Sequence, residues 1–222
     1  MAGKDERMRL LAVADLHGKT GRLAGVAQTV ATFGPGAVVV AGDVASRRDL
    51  AATLDKLNEL GPTLYLIDGN CEGRRFPNEV ARLPNLTRLS ADPVRCGNVH
   101  LFGLGGTLPL PFASRICWNE AGLLETLPEA TAPSVLVVHP PPYGVLDQVL
   151  GGLHTGSRGL ARWITRHQPN LVLCGHIHER TGTATMGATT VVNCALGRHG
   201  GGALIELDEG PARIEMLPPV AG

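Results

Sequence analysis

Short apolar runs recur along the chain, and one after another they stop at a polar side chain. Leu10-Leu11-Ala12-Val13-Ala14 meets Asp15-Leu16-His17, and Ala37-Val38-Val39-Val40-Ala41 meets Gly42-Asp43. Thr63-Leu64-Tyr65-Leu66-Ile67 leads to Gly69-Asn70-Cys71-Glu72, Ser134-Val135-Leu136-Val137-Val138 meets His139, and Leu171-Val172-Leu173-Cys174 meets Gly175-His176-Ile177-His178. Apolar runs this short, rich in β-branched residues and bounded by Gly or Pro, predict strands buried on both faces. Between the first three lie segments of helical spacing. Residues 19–33 carry Leu23, Val26, Ala27 and Val30 before Gly34-Pro35-Gly36, and residues 48–60 carry Leu50, Leu54 and Leu57 before Gly61-Pro62. Such an alternation predicts parallel strands joined by right-handed crossovers, with their carboxyl ends along one sheet edge. That edge is where open α/β sheets place their ligands.

The second half is less regular. A short helix is predicted over 74–83, and strands over 86–90, 94–96 and 99–104, with Gly97-Asn98 as a hairpin turn. Residues 105–115 read as a Gly- and Pro-rich loop and 118–127 as a short helix. The long segment 143–156 reads as a loop bordering the site. Ser157 is the predicted N-cap of a helix reaching His167. Segments 183–185, 189–194, 202–207 and 213–217 read as antiparallel strands without intervening helices. Trp118 and Trp163 sit at helical spacings and are expected in the core. With no repeat and no linker, a single domain over 1–222 is expected.

Composition narrows the functional classes. Hydrophobic residues make up 44% and charged residues 18% of 222, the balance of a globular chain with a sizeable core. Net charge is +0 and aromatics are 4%, which argues against extended nucleic-acid binding. The five cysteines form neither a disulfide framework nor a CxxC zinc site, so a reducing cytoplasm fits. The amino-terminal segment is polar, the apolar run after it is too short for a signal peptide, and no stretch is long enough to span a membrane.

The residue types at the strand ends are those of metal ligands. Asp15/His17 and His176/His178 each stand two apart, so in extended backbone both side chains of a pair point one way. Imidazole with carboxylate suits Zn, Mn, Fe, Ni or Co better than Ca or Mg. Two ions side by side need a carboxylate that reaches both, and Asp43 is the candidate. Asn70 would add a neutral amide oxygen, limiting the negative charge that an anionic substrate meets.

Asp15-x-His17, Gly42-Asp43, Gly69-Asn70, His139 and Gly175-His176-x-His178 resemble, in order and spacing, the motif set of the calcineurin-like metallophosphoesterase superfamily, from Arg9 to about Leu217. The resemblance implies a four-layer αββα sandwich of two mixed sheets flanked by helices. It implies that Asp15, His17 and His178 hold one metal ion and Asn70, His139 and His176 a second, with Asp43 between, Mn being the expected activating metal. It also implies hydrolysis of a small phosphate ester by in-line attack of a hydroxide lying between the ions.

One position departs from the family pattern. Where most catalysts of the family carry a histidine after the Asn, this chain has Cys71, a poor proton donor unless tuned. Some small prokaryotic phosphodiesterases of the family look similar there, which points to a phosphodiesterase acting on good leaving groups. His154, in the loop after His139, is the candidate for the missing acid. Arg47 partly matches the Gly-Asp-x-x-Asp-Arg phosphate-binding pattern, with Ser46 in place of the Asp, and Arg74 and Arg75 follow Glu72. Arg47 and Arg74 are therefore the candidate substrate-binding residues, each with a bland alternative as a solvated arginine. Glu72 is expected to orient its neighbours or to form a salt bridge, and His199 is a weaker candidate. The competing reading is a catalytically weak binding scaffold of the same fold. A nuclease would require a groove lined by Arg47, Arg74, Arg75, Arg115 and Arg158. The expected partner is a small phosphate ester, and the oligomeric state is open.

Overall fold

The computed structural model describes residues 8–110, 113–129, 133–207 and 211–219. The first half runs β1 (Met8–Val13), α1 (Thr20–Phe33), β2 (Ala37–Ala41), α2 (Leu50–Asn58), β3 (Thr63–Ile67), α3 (Phe76–Ala81) and β4 (Leu86–Arg88). Strands β1 to β4 lie side by side and parallel, as the alternation of strand and helix requires. Then come β5 (Val94–Cys96), β6 (Val99–Leu104), β7 (Leu108–Leu110), β8 (Ala113–Arg115), α4 (Glu120–Leu124), β9 (Ser134–Val138), α5 (Arg158–His167) and β10 (Leu171–Cys174). The last elements are β11 (Gly182–Met186), β12 (Thr189–Asn193), β13 (Leu196–Gly197), β14 (Gly200–Gly201), β15 (Ala203–Leu207) and β16 (Arg213–Met216).

Two six-stranded sheets result, in the orders β16-β15-β1-β2-β3-β4 and β11-β12-β10-β9-β6-β5. Both are mixed: β15 and β16 extend the first sheet antiparallel on one side, and β11 and β5 close the second antiparallel at its two edges. Successive residues of a strand face opposite sides, so each central strand feeds two apolar layers. Leu10, Ala12 and Ala14, with Val39, Val135, Val137, Leu171 and Leu173, fill the layer between the sheets. Leu11, Val13, Val38 and Val40 face outward and bury Leu23 and Val26 of α1 and Leu54 and Leu57 of α2. On the far side, Leu136, Val138 and Val172 pack on Leu160, Trp163 and Ile164 of α5. The architecture is thus the αββα sandwich.

Several details differ from the sequence reading. Trp118 is 74% exposed, because α4 begins only at Glu120 and leaves it on the approach to the helix. Trp163 is buried as expected and stacks on His167 at 4.6 Å. Segment 105–115 contains the β7–β8 ribbon, whose strands are too short to announce themselves among Gly and Pro. β12 is antiparallel to β11 but parallel to β10, which it joins in the second sheet. β13 and β14 form a small ribbon that the hydrophobic pattern does not predict. Ser157 does cap α5, its hydroxyl accepting the Leu160 N–H at 2.9 Å. Among the described residues no helix is long and apolar enough to cross a membrane.

Candidate metal centre

The sheets meet where their parallel strands end. Ala14, just past β1, bridges to Ala195, just past β12: its N–H donates to Cys194 O and its carbonyl accepts from Leu196 N–H, both at 3.0 Å. His139 reaches across to the other sheet, its Nδ1 lying 2.7 Å from Ala41 O. A carbonyl can only accept, so Nδ1 carries a proton and donates it to Ala41 O, leaving Nε2 to face the seam. All five strand ends singled out by the sequence converge on this seam.

Backbone conformation there is unusual. Asp15, His17, Asp43 and His176 all have positive φ, between 52° and 69°. This left-handed region is costly for residues with a side chain, and it persists where surrounding contacts enforce it, often at functional sites. The motif glycines make room for it. A Cβ at Gly42 would come within 2.5 Å of His139 Nδ1, one at Gly175 within 2.5 Å of Asp15 Oδ2, and one at Gly69 would collide with Asp43 Oδ1.

Asp15 is fully buried. Its Oδ2 accepts the His176 N–H at 2.9 Å, whereas Oδ1 has no donor in hydrogen-bond geometry, although His178 Nε2 lies 3.1 Å away. His139 Nε2 is likewise buried without a partner, 3.5 Å from Asp43 Oδ2 and 3.8 Å from Asp15 Oδ1. Buried polar atoms are rarely left unsatisfied. A carboxylate oxygen and an imidazole nitrogen, both buried without a partner at one seam, suit metal ligands. The potential ligand atoms group as Asp15/His17/His178, Asp15/Asp43/His139 and His17/Asp43/Cys71, each set mutually within 4.8 Å. These residues fit a metal site. Asp15, His17 and Asp43 each belong to two of the three groups, and Asp43 Oδ1 also accepts the N–H groups of Asn70 (2.7 Å) and Cys71 (3.1 Å).

The field at the seam favours positive charge. Burial pushes the Asp15 carboxyl up, but His178 and His139 more than offset it and hold it below its usual range. Burial opposes ionisation of Asp43 too, yet His139 and the Asn70 N–H hold it well below the ordinary carboxylate value. Burial lowers His139, and Asp43 and Asp15 overcome this and raise it to about 9. His176 falls to about 4 through burial and the nearby His139. Cys71 is pushed up to about 12 by burial and by Asp43. Its Sγ lies 3.7 Å from His17 Nδ1 and 3.6 Å from the Asn70 amide nitrogen. Without a cation the thiol keeps its proton, whereas a coordinated thiol loses it.

Supporting groups surround these side chains. Glu72 is buried and accepts the Val44 N–H through Oε1 and the Gly69 N–H through Oε2 (2.9 Å), pinning the loops that carry Asp43 and Asn70. Three further groups were not picked out from the sequence. Arg22 of α1 is buried and donates to Asp15 O. Asn193, the last residue of β12, donates to Ile177 O at 2.8 Å between the two loop histidines, and lies 3.5 Å from Leu146 O. Its signal was another apolar run stopping at an amide side chain. Asp147 is fully buried, accepts the N–H groups of Gly144 (3.0 Å) and Gly156 (2.9 Å), and lies 2.6 Å from His154 Nδ1. His154 Nε2 contacts the Gln148 side chain at 3.2 Å, and its ring lies against Tyr143. The candidate acid therefore sits on a buried carboxylate, on a loop tied through Asn193 to the His176/His178 turn. Arg47 and Arg74 line a cleft beside Glu72.

Comparison with known proteins agrees with this geometry. The chain is 27% identical to the uncharacterized protein MJ1162 of Methanocaldococcus jannaschii over 198 residues, 84% of this chain and 87% of that protein. TT1561 of Thermus thermophilus shares the fold at a TM-score of 0.70 and 20% identity, covering 95% of this chain and 99% of that one. A dimetal phosphatase from Danio rerio does so at a TM-score of 0.65 and 11% identity, covering 94% and 95%. The family model for calcineurin-like phosphoesterases matches residues 8–180, which contain all five strand ends. With that span of sequence and this seam of side chains, the chain belongs to the calcineurin-like phosphoesterase family.

Proposed function

We propose that the protein is a phosphodiesterase dependent on two divalent transition-metal ions. The observation that carries the reading is the pair of buried, unpartnered atoms, Asp15 Oδ1 and His139 Nε2, facing one another beside Asp43. In this reading Asp15, His17 and His178 hold one ion, Asn70, His139 and His176 the other, and Asp43 serves both. Asp15, His17 and His178 already form one compact group, and the His139 and His176 rings lie 5.2 Å apart, centre to centre. The ions would polarise the phosphoryl oxygens and make water nucleophilic at neutral pH.

The chain's own residues then orient the ester and supply the proton. Asp43 is held in place by the Asn70 and Cys71 N–H groups, so its charge is fixed before substrate arrives. Cys71, at about 12, is too weak an acid to match a leaving group near neutral pH. We assign that proton to His154 Nε2, with Asp147 holding Nδ1–H and orienting the ring, as the carboxylate of a catalytic triad does. Arg47 and Arg74 would contact the anionic substrate. Diesters with stable leaving groups, which need little help from an acid on departure, are the favoured substrates over alkyl monoesters. Five cysteines without a disulfide suit a reducing compartment.

The test is turnover of bis(p-nitrophenyl) phosphate against p-nitrophenyl phosphate with Mn²⁺. The diester is expected to win by about tenfold or more, with both rates lost on chelation. His154→Ala should slow esters of poor leaving groups by about 10²-fold and aryl esters far less, since general acid catalysis matters only where the departing oxygen needs a proton. Faster monoester hydrolysis would contradict the diesterase assignment. An equal loss on all esters would remove His154 from the proton transfer.

A further inference from the structure

We infer that the cleft beside Glu72 binds a second phosphate of the substrate, so that the ester taken by this site is a small molecule carrying at least one phosphate besides the scissile one. This deepens the phosphoesterase reading and rests on it. The cleft has a volume of about 830 Å³ and is lined by Arg47, Arg48, Arg74 and Arg75 together with Glu72 and Glu79. That is the size of a pocket for a nucleotide-scale ligand.

The charge in it is uncompensated. All four arginines are exposed, and among the described residues none lies within ion-pair distance of a carboxylate. Among the described residues three arginines do meet a carboxylate: Arg9 reaches Glu206 at 2.8 Å, Arg82 reaches Glu79 at 2.8 Å, and Arg88 reaches Asp68 at 3.1 Å. The two acids in the cleft are otherwise engaged. Glu72 is turned to the Val44 and Gly69 N–H groups, and Glu79 is held by Arg82. A chain of net charge +0 thus gathers four free guanidiniums in one concavity. Like charges so placed repel one another unless an anion joins them, and the planar guanidinium fork matches phosphate oxygens two at a time.

Position ties the cleft to the reaction. Arg47 follows Asp43 by four residues, and its guanidinium lies over Gly73, where a Cβ would come within 2.6 Å of Nε. Glu72, which forms the shared wall, braces the residue after Asp43 and the residue before Asn70. None of the candidate metal ligands lines the cleft, so a phosphate held there would be a second one, beyond Glu72 from the seam. The lining holds no aromatic side chain, so nothing there stacks successive bases as a nucleic-acid groove would.

The test compares two chromogenic substrates with the same scissile bond: the p-nitrophenyl ester of thymidine 5′-phosphate, with and without a 3′-phosphate. The doubly phosphorylated ester is expected to have a kcat/KM about tenfold higher, and Arg48→Ala/Arg75→Ala to erase most of that ratio. Isothermal titration with inorganic diphosphate reads the cleft without turnover, and binding should weaken about tenfold in the double variant. An equal kcat/KM for the two esters, or a preference untouched by the double variant, would overturn the proposal. So would a single-stranded oligonucleotide outcompeting both esters. If neither ester is cleaved while diphosphate binding still depends on Arg48 and Arg75, the anion site stands and the phosphoesterase reading falls.

Discussion

Asp43→Asn is expected to reduce metal-supported phosphodiester hydrolysis by about 10³-fold or more, roughly 4 kcal/mol of transition-state stabilisation. The substitution keeps the size of the side chain and an oxygen able to accept the Asn70 and Cys71 N–H groups, so the loop should keep its shape. It removes the charge. It also places an amide where Asp43 Oδ2 now lies 3.5 Å from His139 Nε2 and 3.8 Å from His17 Nδ1, one nitrogen from each of the two expected ligand sets. A melting temperature near that of the wild type, with activity lost, is the predicted pattern, measured by thermal denaturation alongside bis(p-nitrophenyl) phosphate turnover. Retention of more than a tenth of the activity would mean that Asp43 does not serve the ions.

The second large effect is on stability. Gly42→Ala should destabilise the fold by about 3 kcal/mol, whereas Gly61→Ala should cost about 1 kcal/mol. Both glycines have φ near 90°, at 89° and 96°, so both variants bear similar backbone strain. Only Gly42 is crowded: a Cβ there meets the His139 ring, while one at Gly61 finds nothing within 4 Å. The difference, read from the urea midpoints of the two variants, isolates the packing of His139 across the seam. His139 cannot retreat without giving up its 2.7 Å bond to Ala41 O. Equal losses for the two variants would show that the ring tolerates the methyl group and that the seam is looser than described.

The sequence made the strand ends legible because their signal is local. An apolar run, a glycine and a polar residue are contiguous, and the βαβ pattern alone sends Asp15, Asp43 and Asn70 to one edge. That His139, His176 and His178 join them follows from the second sheet, whose parallel strands β9 and β10 end at the same seam. What escaped depends on contacts between distant positions. Arg22 reads as an ordinary polar residue of α1, and only the fold turns its guanidinium onto Asp15 O. Asp147 is one polar residue in a long loop until the loop closes around it and its carboxylate meets His154 and two glycine N–H groups. Trp118 misled because helical spacing assigns a face but not a helix start, and α4 begins two residues later. Of the arginines that a nuclease groove would require, the fold joins Arg47 to Arg74 and Arg75 in one cleft and adds Arg48, while Arg115 and Arg158 line another concavity.

The central claim is that this seam holds a pair of transition-metal ions, and the direct measurement is metal stoichiometry. Chelated protein would be reloaded with Mn²⁺ or Zn²⁺, freed of excess metal, and analysed by inductively coupled plasma mass spectrometry beside Asp43→Asn. The account predicts close to two ions per chain in the wild type and at most one in the variant. Wild-type protein that retains no stoichiometric metal, or a variant that retains as much as the wild type, would contradict it.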